Sequence, residues 1–345
     1  MPDAVRGRRA SAAIYRLLMQ VVVWSRELVS ALKRRPRLRR TLEAVAALAV
    51  IAGSAYAVNG EWSQAEPQLA NARISDVCFA LATVAIYYLV FILGWIRILA
   101  AWDVQVSYRA ALQAEMVSML AKYIPGGVWT PAARVAALER LTGETATGTI
   151  LASILVEAIL SAVSGIIVFV VSLIWVRNVQ APVVPIVLFT LFCVAILHPR
   201  IFRPVTARLL KPFGLPPIEP LPFPTMASLL AFYCCTWLIG GLGLYFLIRS
   251  LGTTTHITTI PFLGGTAAIG AIVAVLAIFA PSGLGVREAS MYALLIAVTS
   301  DPTALGATIL NRLTITVVEV GLFLAGVVVW RLTRARLRPS AESSS

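Results

Sequence analysis

The chain has 345 residues, of which 59% are hydrophobic and 13% are charged. A water-soluble domain normally carries about a quarter charged residues, so this composition excludes a soluble globule and predicts an integral membrane protein. The formal net charge is +13, but the basic residues cluster beside apolar runs, at 33–40, 200–211 and 331–338. Such clusters are typical of cytoplasmic loops that contact anionic lipid head groups, and they argue against a nucleic-acid partner.

The N-terminal segment, 1–41, is basic and is predicted to lie in the cytoplasm, with an amphipathic helix at 12–32 on the membrane surface. A spanning helix needs about 20 apolar residues, and several such runs place a membrane domain at 42–330. The predicted spans are 42–58, 77–100, 149–176, 182–198, 225–248 and 306–330. Residues 331–345 are predicted to form a basic, disordered cytoplasmic tail.

Two further segments, 107–148 and 259–299, do not resemble ordinary spans. The first contains Lys-Tyr-Ile-Pro-Gly-Gly-Val-Trp at 122–129, and the second contains Pro-Ser-Gly-Leu-Gly-Val-Arg-Glu at 281–288. Proline removes a backbone donor and glycine loosens a helix. Each segment is therefore predicted to be a broken, re-entrant hairpin of two half-helices.

The positive-inside bias places both termini in the cytoplasm, which requires each broken segment to begin and end on one side of the membrane. The chain then contains the same order of elements twice, at 42–176 and at 182–330: two spans, a broken hairpin and a further span. The first half begins on the cytoplasmic side of the membrane and the second half begins on the outer side. The predicted fold is an all-α polytopic helical bundle of two inverted repeats. In transporters of this architecture the substrate site lies near the midplane between the halves.

Three ionisable residues, Glu157, Arg312 and Glu319, fall inside predicted spans. Each would cost about 2.5–3.5 kcal/mol if it faced lipid, so all three are predicted to face the bundle or a wet cavity. One interpretation is a structural ion pair between Arg312 and either Glu157 or Glu319. The other is direct contact with substrate, and the two interpretations are compatible.

The two breaks are candidate anion sites, because a half-helix exposes backbone N–H groups and partial positive charge at its N-terminus. The alternative is that proline and glycine only bend packed helices, with Arg287 and Glu288 neutralising each other. The candidate substrate-binding residues are Lys122, Pro125, Gly126, Gly127 and Arg134 at the first break, Pro281, Gly283, Gly285, Arg287 and Glu288 at the second, and Arg312.

The motifs of soluble enzymes do not occur in the sequence. The two histidines, His198 and His256, have no neighbours with metal-ligand spacing, and there is no P-loop, no G-x-S-x-G and no H-E-x-x-H. We therefore expect no metal, no cofactor and no catalytic residues, and a transporter is expected ahead of an enzyme.

The segment from Lys122 to Trp129 followed by Arg134, together with the segment from Pro281 to Ala289, resembles the two hallmark segments of the lysylphosphatidylglycerol synthase transmembrane-region family, also called flippase-like. The likeness covers about 42–330. It implies a membrane domain linked to moving aminoacylated phospholipids or glycan-carrier lipids. Bifunctional members carry a soluble transferase domain after the membrane part, and this sequence ends at Ser345, so synthesis of lysylphosphatidylglycerol is not expected.

The leading hypothesis is a translocase in a bacterial or archaeal inner membrane. Its substrate would be an anionic phospholipid or a polyprenyl-phosphate lipid, whose head group is contacted by Lys122, Arg134, Arg287 and Arg312. The alternatives are a membrane-embedded transferase of polyprenyl-phosphate-linked sugars, a secondary transporter of a soluble anion, and a scaffold for a partner enzyme. The oligomeric state is open, and a homo-oligomer is one alternative.

Overall fold

The computed structural model describes residues 72–121, 129–143, 146–176, 183–211, 217–277 and 285–336, with the single residues 67, 70 and 179. All regular structure in this part is helical, as predicted. The helices are α1 Ile74–Ala100, α2 Tyr108–Ala121, α3 Trp129–Thr142, α4 Thr147–Ser172, α5 Val183–Leu197, α6 Pro199–Leu210, α7 Phe223–Ser250, α8 Ile260–Leu276, α9 Val286–Leu295 and α10 Asp301–Arg336, with a 3-10 turn at Ile257–Thr259.

Five helical stretches of the described chain are long and apolar enough to cross a membrane. They are Ile74–Ala100, Thr147–Ser172, Phe223–Ser250, Ile257–Leu276 and Asp301–Val328. Four of them confirm the predicted spans at 77–100, 149–176, 225–248 and 306–330. The predicted surface helix at 12–32 and the predicted span at 42–58 lie outside the described residues. Helix α10 continues to Arg336, so the first residues of the predicted tail are helical.

The predicted span at 182–198 is the helix α5, which has 15 residues. At 1.5 Å per residue it is about 22 Å long, shorter than the hydrocarbon core of about 30 Å. It meets the requirements for a span only when counted together with α6, which follows a break at His198. His198 caps α6, because its ring accepts a hydrogen bond from the backbone N–H of Arg200.

The chain divides into two compact units, Met1–Ala52 with Ile196–Pro220, and Gly53–Ala195 with Leu221–Ser345. The described part of the first unit contains α6, whose arginines at 200, 203 and 208 are exposed while Phe202 and Thr206 are buried. Arg203 forms an exposed ion pair with Glu219. This amphipathic helix lies in the basic segment predicted as a cytoplasmic loop.

Both predicted hairpins are present as packed helix pairs in the second unit. Helices α2 and α3 pack on each other, as do α8 and α9. Helices α2 and α3 have 14 residues each, as expected of half-helices. Helix α8 with its preceding turn is longer than a half-helix and could cross the membrane. The breaks themselves, 122–128 and 278–284, lie outside the described residues.

The packing of the second unit repeats along the chain. In the first half α1 packs on α2 and α4, and α3 packs on α2 and α4. In the second half α7 correspondingly packs on α8 and α10, and α9 packs on α8 and α10. Across the halves, α1 contacts α7, α4 contacts α7 and α8, and α10 correspondingly contacts α1 and α2. Exchanging α1–α4 with α7–α10 leaves this pattern unchanged, as two structural repeats require.

Helices α7 and α8 approach each other through glycines. A Cβ added to Gly241 would lie 2.6 Å from the backbone nitrogen of Gly264, and one added to Gly264 would overlap the carbonyl of Trp237. Small residues at such crossings let two backbones come close enough for van der Waals packing within a membrane. This close contact fixes α8 against α7 and holds the second hairpin in place.

Candidate functional site: buried charges beside the hairpins

The first group of buried charges joins α2, α3 and α4. Arg134 on α3 forms an ion pair with Glu157 on α4, and its Nε lies 2.7 Å from Glu115 Oε2 on α2. The angle at Nε does not make this second contact a hydrogen bond, so it is an ion pair alone. Arg134 is 5% exposed and Glu157 is 3% exposed, and we name Glu115, Arg134 and Glu157 the first charge cluster.

Aromatic residues of the long helices hold this cluster in position. The Arg134 guanidinium carbon lies 3.7 Å from the centre of a Trp95 ring on α1, a cation–π contact. The indole N–H of Trp95 donates to Ser153 Oγ on α4 at 2.8 Å. The hydroxyl of Tyr233 on α7 donates to Glu157 Oε1 at 3.4 Å. Both repeats therefore contribute to the surroundings of Glu157.

The second group of buried charges joins α9 and α10. Glu288 in the first turn of α9 forms an ion pair with Arg312 on α10. Its other carboxylate oxygen accepts the backbone N–H of Gly285 at 2.7 Å and so caps α9. Gly285 has a φ of +79°, a backbone conformation that glycine adopts without strain. We name Glu288 and Arg312 the second charge cluster.

Two tyrosine–carboxylate contacts correspond under exchange of the repeats. Tyr88 on α1 donates to Glu319 on α10 at 2.6 Å, and Tyr233 on α7 donates to Glu157 on α4. When the two repeats are exchanged, α1 corresponds to α7 and α10 corresponds to α4. The two contacts therefore join corresponding pairs of helices. Glu319 is 2% exposed. Glu157 and Glu319 thus have the same kind of partner, a tyrosine hydroxyl from the other half of the chain.

Arg287 differs from the other arginines of the site. It is half-buried at the start of α9, and among the described residues no carboxylate lies within ion-pair distance of its guanidinium. Arg287 acts electrostatically on the hydroxyls of Tyr87 and Tyr88, and Tyr87 also responds to Glu115 and Glu157. Arg287 and the two carboxylates of the first charge cluster therefore all lie within electrostatic range of Tyr87.

Aromatic rings fill the space between α1 and α7 at this level. The ring centres of Tyr87 and Trp237 are 5.9 Å apart, and those of Phe91 and Tyr233 are 5.1 Å apart. The indole of Trp237 donates to the carbonyl of Ser161 at 2.8 Å. These rings give the region between the two clusters an amphipathic lining, with apolar faces and polar edges.

The observed ion pairs differ from those expected. One interpretation of the sequence pairs Arg312 with Glu157 or Glu319. In the structure Glu157 pairs with Arg134, and Arg312 pairs with Glu288. Glu288 does not neutralise Arg287, because neighbouring residues of a helix project about 100° apart. The printed ion pairs therefore join each hairpin to the last helix of its own repeat.

Several predicted site residues lie outside the described residues: Lys122, Pro125, Gly126, Gly127, Pro281 and Gly283. Sequence reasoning missed four residues that the structure places at the site: Trp95, Glu115, Tyr88 and Tyr233. Glu115 carried a usable signal, because it is a carboxylate in an otherwise mostly apolar half-helix. The aromatic residues carried none, since their patterning does not differ from that of ordinary lipid-facing or packing side chains.

The fold and the site together define an all-α, multi-pass membrane protein with buried charges at its hairpins. A family model described as the lysylphosphatidylglycerol synthase TM region matches residues 44–326. The chain belongs to this family, which confirms the resemblance carried by the two hairpin motifs. No match was found among curated proteins.

Proposed function

We propose that the chain moves an anionic lipid between the two leaflets of the membrane, acting as a transporter and not as an enzyme. The substrate is a phospholipid or a polyprenyl-phosphate lipid whose negative head group binds at Arg287, while its hydrocarbon chains stay in the bilayer. Family membership supports a lipid-related role. The observation that carries the proposal is a half-buried arginine at the start of a hairpin helix with no carboxylate partner in the described structure.

The state of the other cations supports this choice of residue. Arg134 is held by two carboxylates and Arg312 by Glu288, so a head group would have to displace an existing ion pair to bind either of them. Arg287 needs no such displacement. A cation at membrane depth is costly without a counter-charge, and a phosphate of the substrate would supply one.

The surroundings of Arg287 suit a lipid head group. It stands in the first turn of α9, where the positive end of the helix dipole adds to its own charge. The Tyr87 and Tyr88 hydroxyls lie within electrostatic range of Arg287, and phenolic hydroxyls can bind head-group oxygens while their rings contact hydrocarbon. A path that carries only small hydrated anions would not need the apolar ring faces of this aromatic lining.

Movement of the head group requires at least one hairpin to shift, and the second hairpin is the less firmly held. The Glu288 and Arg312 side chains are 22% and 15% exposed, whereas Arg134 and Glu157 are 6% and 4% exposed. Ion pairs that water can reach break and re-form more easily than dry ones. We place the mobile element of the transport cycle at α9 and its ion pair with Arg312.

A lipid-movement assay with matched variants tests the proposal. The purified chain is reconstituted in liposomes with head-group-labelled phosphatidylglycerol, and the loss of label signal after addition of an impermeant quencher reports exchange between leaflets. Arg287→Gln should slow exchange by about tenfold or more, because a hydrogen bond to a charged group contributes about 1.5–3 kcal/mol. Arg97→Gln, which removes an exposed arginine in the last turn of α1, should leave exchange within a factor of about two.

The same assay separates the alternatives. Equal exchange rates for wild type and Arg287→Gln would remove Arg287 from the mechanism. Uptake of a soluble phosphate compound without lipid exchange would favour a transporter of soluble anions. Formation of a new glycolipid from a polyprenyl-phosphate sugar would favour a transferase.

A further inference from the structure

The first charge cluster contains more negative than positive charge. Two carboxylates, Glu115 and Glu157, share the single guanidinium of Arg134, and within the described part of the chain no other cationic side chain lies within ion-pair distance of either. In the second repeat the corresponding hairpin contact is the ion pair between Glu288 and Arg312. With both carboxylates ionised, the first cluster would carry a formal charge of about −1 by this count.

An excess charge of this kind calls for a counter-ion. Uncompensated charge inside a membrane protein is expensive and must be met by an opposite charge or removed by protonation. The described residues contain no group of three or more His, Cys, Asp or Glu side chains that could hold a metal ion. The Arg134 guanidinium also occupies the space between the two carboxylates, with Nε facing Glu115 and its terminal nitrogens facing Glu157.

We infer that the first charge cluster is a proton-binding site, in which Glu115 and Glu157 together hold one proton. A proton from water binds a carboxylate oxygen and forms a carboxylic acid, and Arg134 stays paired with the carboxylate that remains ionised. Glu115 is the point of entry, because its side chain is 14% exposed against 4% for Glu157. The use of this proton to drive lipid movement rests on the proposed function.

The groups facing the two carboxylates are the following. Arg134 faces them from α3, Tyr233 faces Glu157 from α7, and Tyr87 of α1 lies within electrostatic range of both. Helix α8, which also packs on α4, contains no titratable residue. Helix α10 packs on α2 and carries two charged residues: Arg312, which pairs with Glu288, and Glu319, which accepts a hydrogen bond from Tyr88.

Infrared spectroscopy of the full chain in nanodiscs tests the proton site without any transport. Near neutral pH we expect a carboxylic-acid C=O band that shifts when H2O is replaced by D2O. Glu115→Gln and Glu157→Gln should each abolish the band, since either change leaves one carboxylate balanced by Arg134. Glu139→Gln is the matched control on α3. The Glu139 carboxylate accepts a hydrogen bond from Thr147 of the next helix and lies outside the first charge cluster, so the band should persist.

A transport experiment tests the use of the proton. Liposomes with the membrane potential clamped at zero are given a pH difference of about one unit, which should shift the leaflet ratio of labelled phosphatidylglycerol by up to about tenfold if one proton moves per lipid. Glu115→Gln should exchange lipid without responding to the pH difference, while Glu139→Gln should respond as wild type does.

The outcomes are distinguishable. A wild-type spectrum without the band, or a band unchanged in both glutamine variants, overturns the proton site whether or not lipid moves. A band that behaves as expected in a chain that moves no lipid supports the site and contradicts the proposed function. Lipid exchange in wild type that ignores the pH difference overturns the coupling.

Discussion

Glu157 and Glu319 are buried in the bundle, and Arg312 is half-buried there. This much followed from the sequence, because the cost of placing a charge in lipid directs such side chains inward. Their partners did not follow. Helical spacing assigns a residue to a face of its own helix but does not identify the helix that packs against that face. The ion pair between Arg134 and Glu157 joins residues of two helices and could be recognised only after α3 was seen to pack on α4.

Removal of the cation in the first charge cluster should destabilise the fold. In Arg134→Gln the two carboxylates lose their counter-charge and the Trp95 ring loses its cation–π contact. We expect the free energy of unfolding to fall by about 3–5 kcal/mol, as when one member of a buried ion pair is removed. Denaturant titration in mixed micelles measures the change.

Arg97→Gln is the control for this measurement, since Arg97 is exposed and its loss should change the free energy of unfolding by no more than about 0.5 kcal/mol. If Arg134→Gln unfolds at the same denaturant concentration as Arg97→Gln, the first charge cluster does not hold α3 to α4.

At the scale of helices, the long spans were predicted to within a few residues because unbroken apolar runs have the length that a bilayer requires. The bounds of α5 were predicted to within one residue, but its apolar run ends at His198 and Pro199 before reaching the length of a full span. The depth of α8 was also open, because a hairpin that begins and ends on one side agrees with the positive-inside bias whether it stops halfway or crosses fully. Its contact with α7 could not be predicted, since glycine patterns do not identify the partner helix.

The glycine contact between α7 and α8 supplies a prediction with an internal control. In Gly241→Ala the new methyl group would lie 2.6 Å from the backbone nitrogen of Gly264, so the helices must separate, and we expect a loss of about 1–3 kcal/mol in the free energy of unfolding. In Gly240→Ala the nearest atom is 3.8 Å away, on Tyr87.

Each substitution favours the helix by about 1 kcal/mol. The difference in the free energy of unfolding between the two variants therefore measures the cost of the close backbone contact alone. Denaturant titration of the two variants measures it. A Gly241→Ala variant as stable as Gly240→Ala would show that α7 and α8 are not in close backbone contact.

At the scale of the whole molecule, the duplication was predicted from the order of spans and broken segments, and the packing of α1–α4 and α7–α10 repeats as that order requires. The inverted orientation of the repeats and the cytoplasmic position of the termini stay predictions, because they rest on the distribution of basic residues. The charges do not follow the repeat. In the ion pair with the last helix of its repeat, the first hairpin supplies an arginine and the second hairpin supplies a glutamate.

Among the described arginines of the two hairpins and their ion pairs, Arg287 is the one for which no carboxylate lies within ion-pair distance, and the proposed function can be tested most directly there. The measurement is an experimental structure of the chain in nanodiscs whose anionic lipid is phosphatidylglycerol. We predict phosphate density within hydrogen-bonding distance of the Arg287 guanidinium, with the acyl chains extending into the bilayer. Head-group density bound elsewhere in the bundle, with Arg287 facing bulk water, would contradict the proposal.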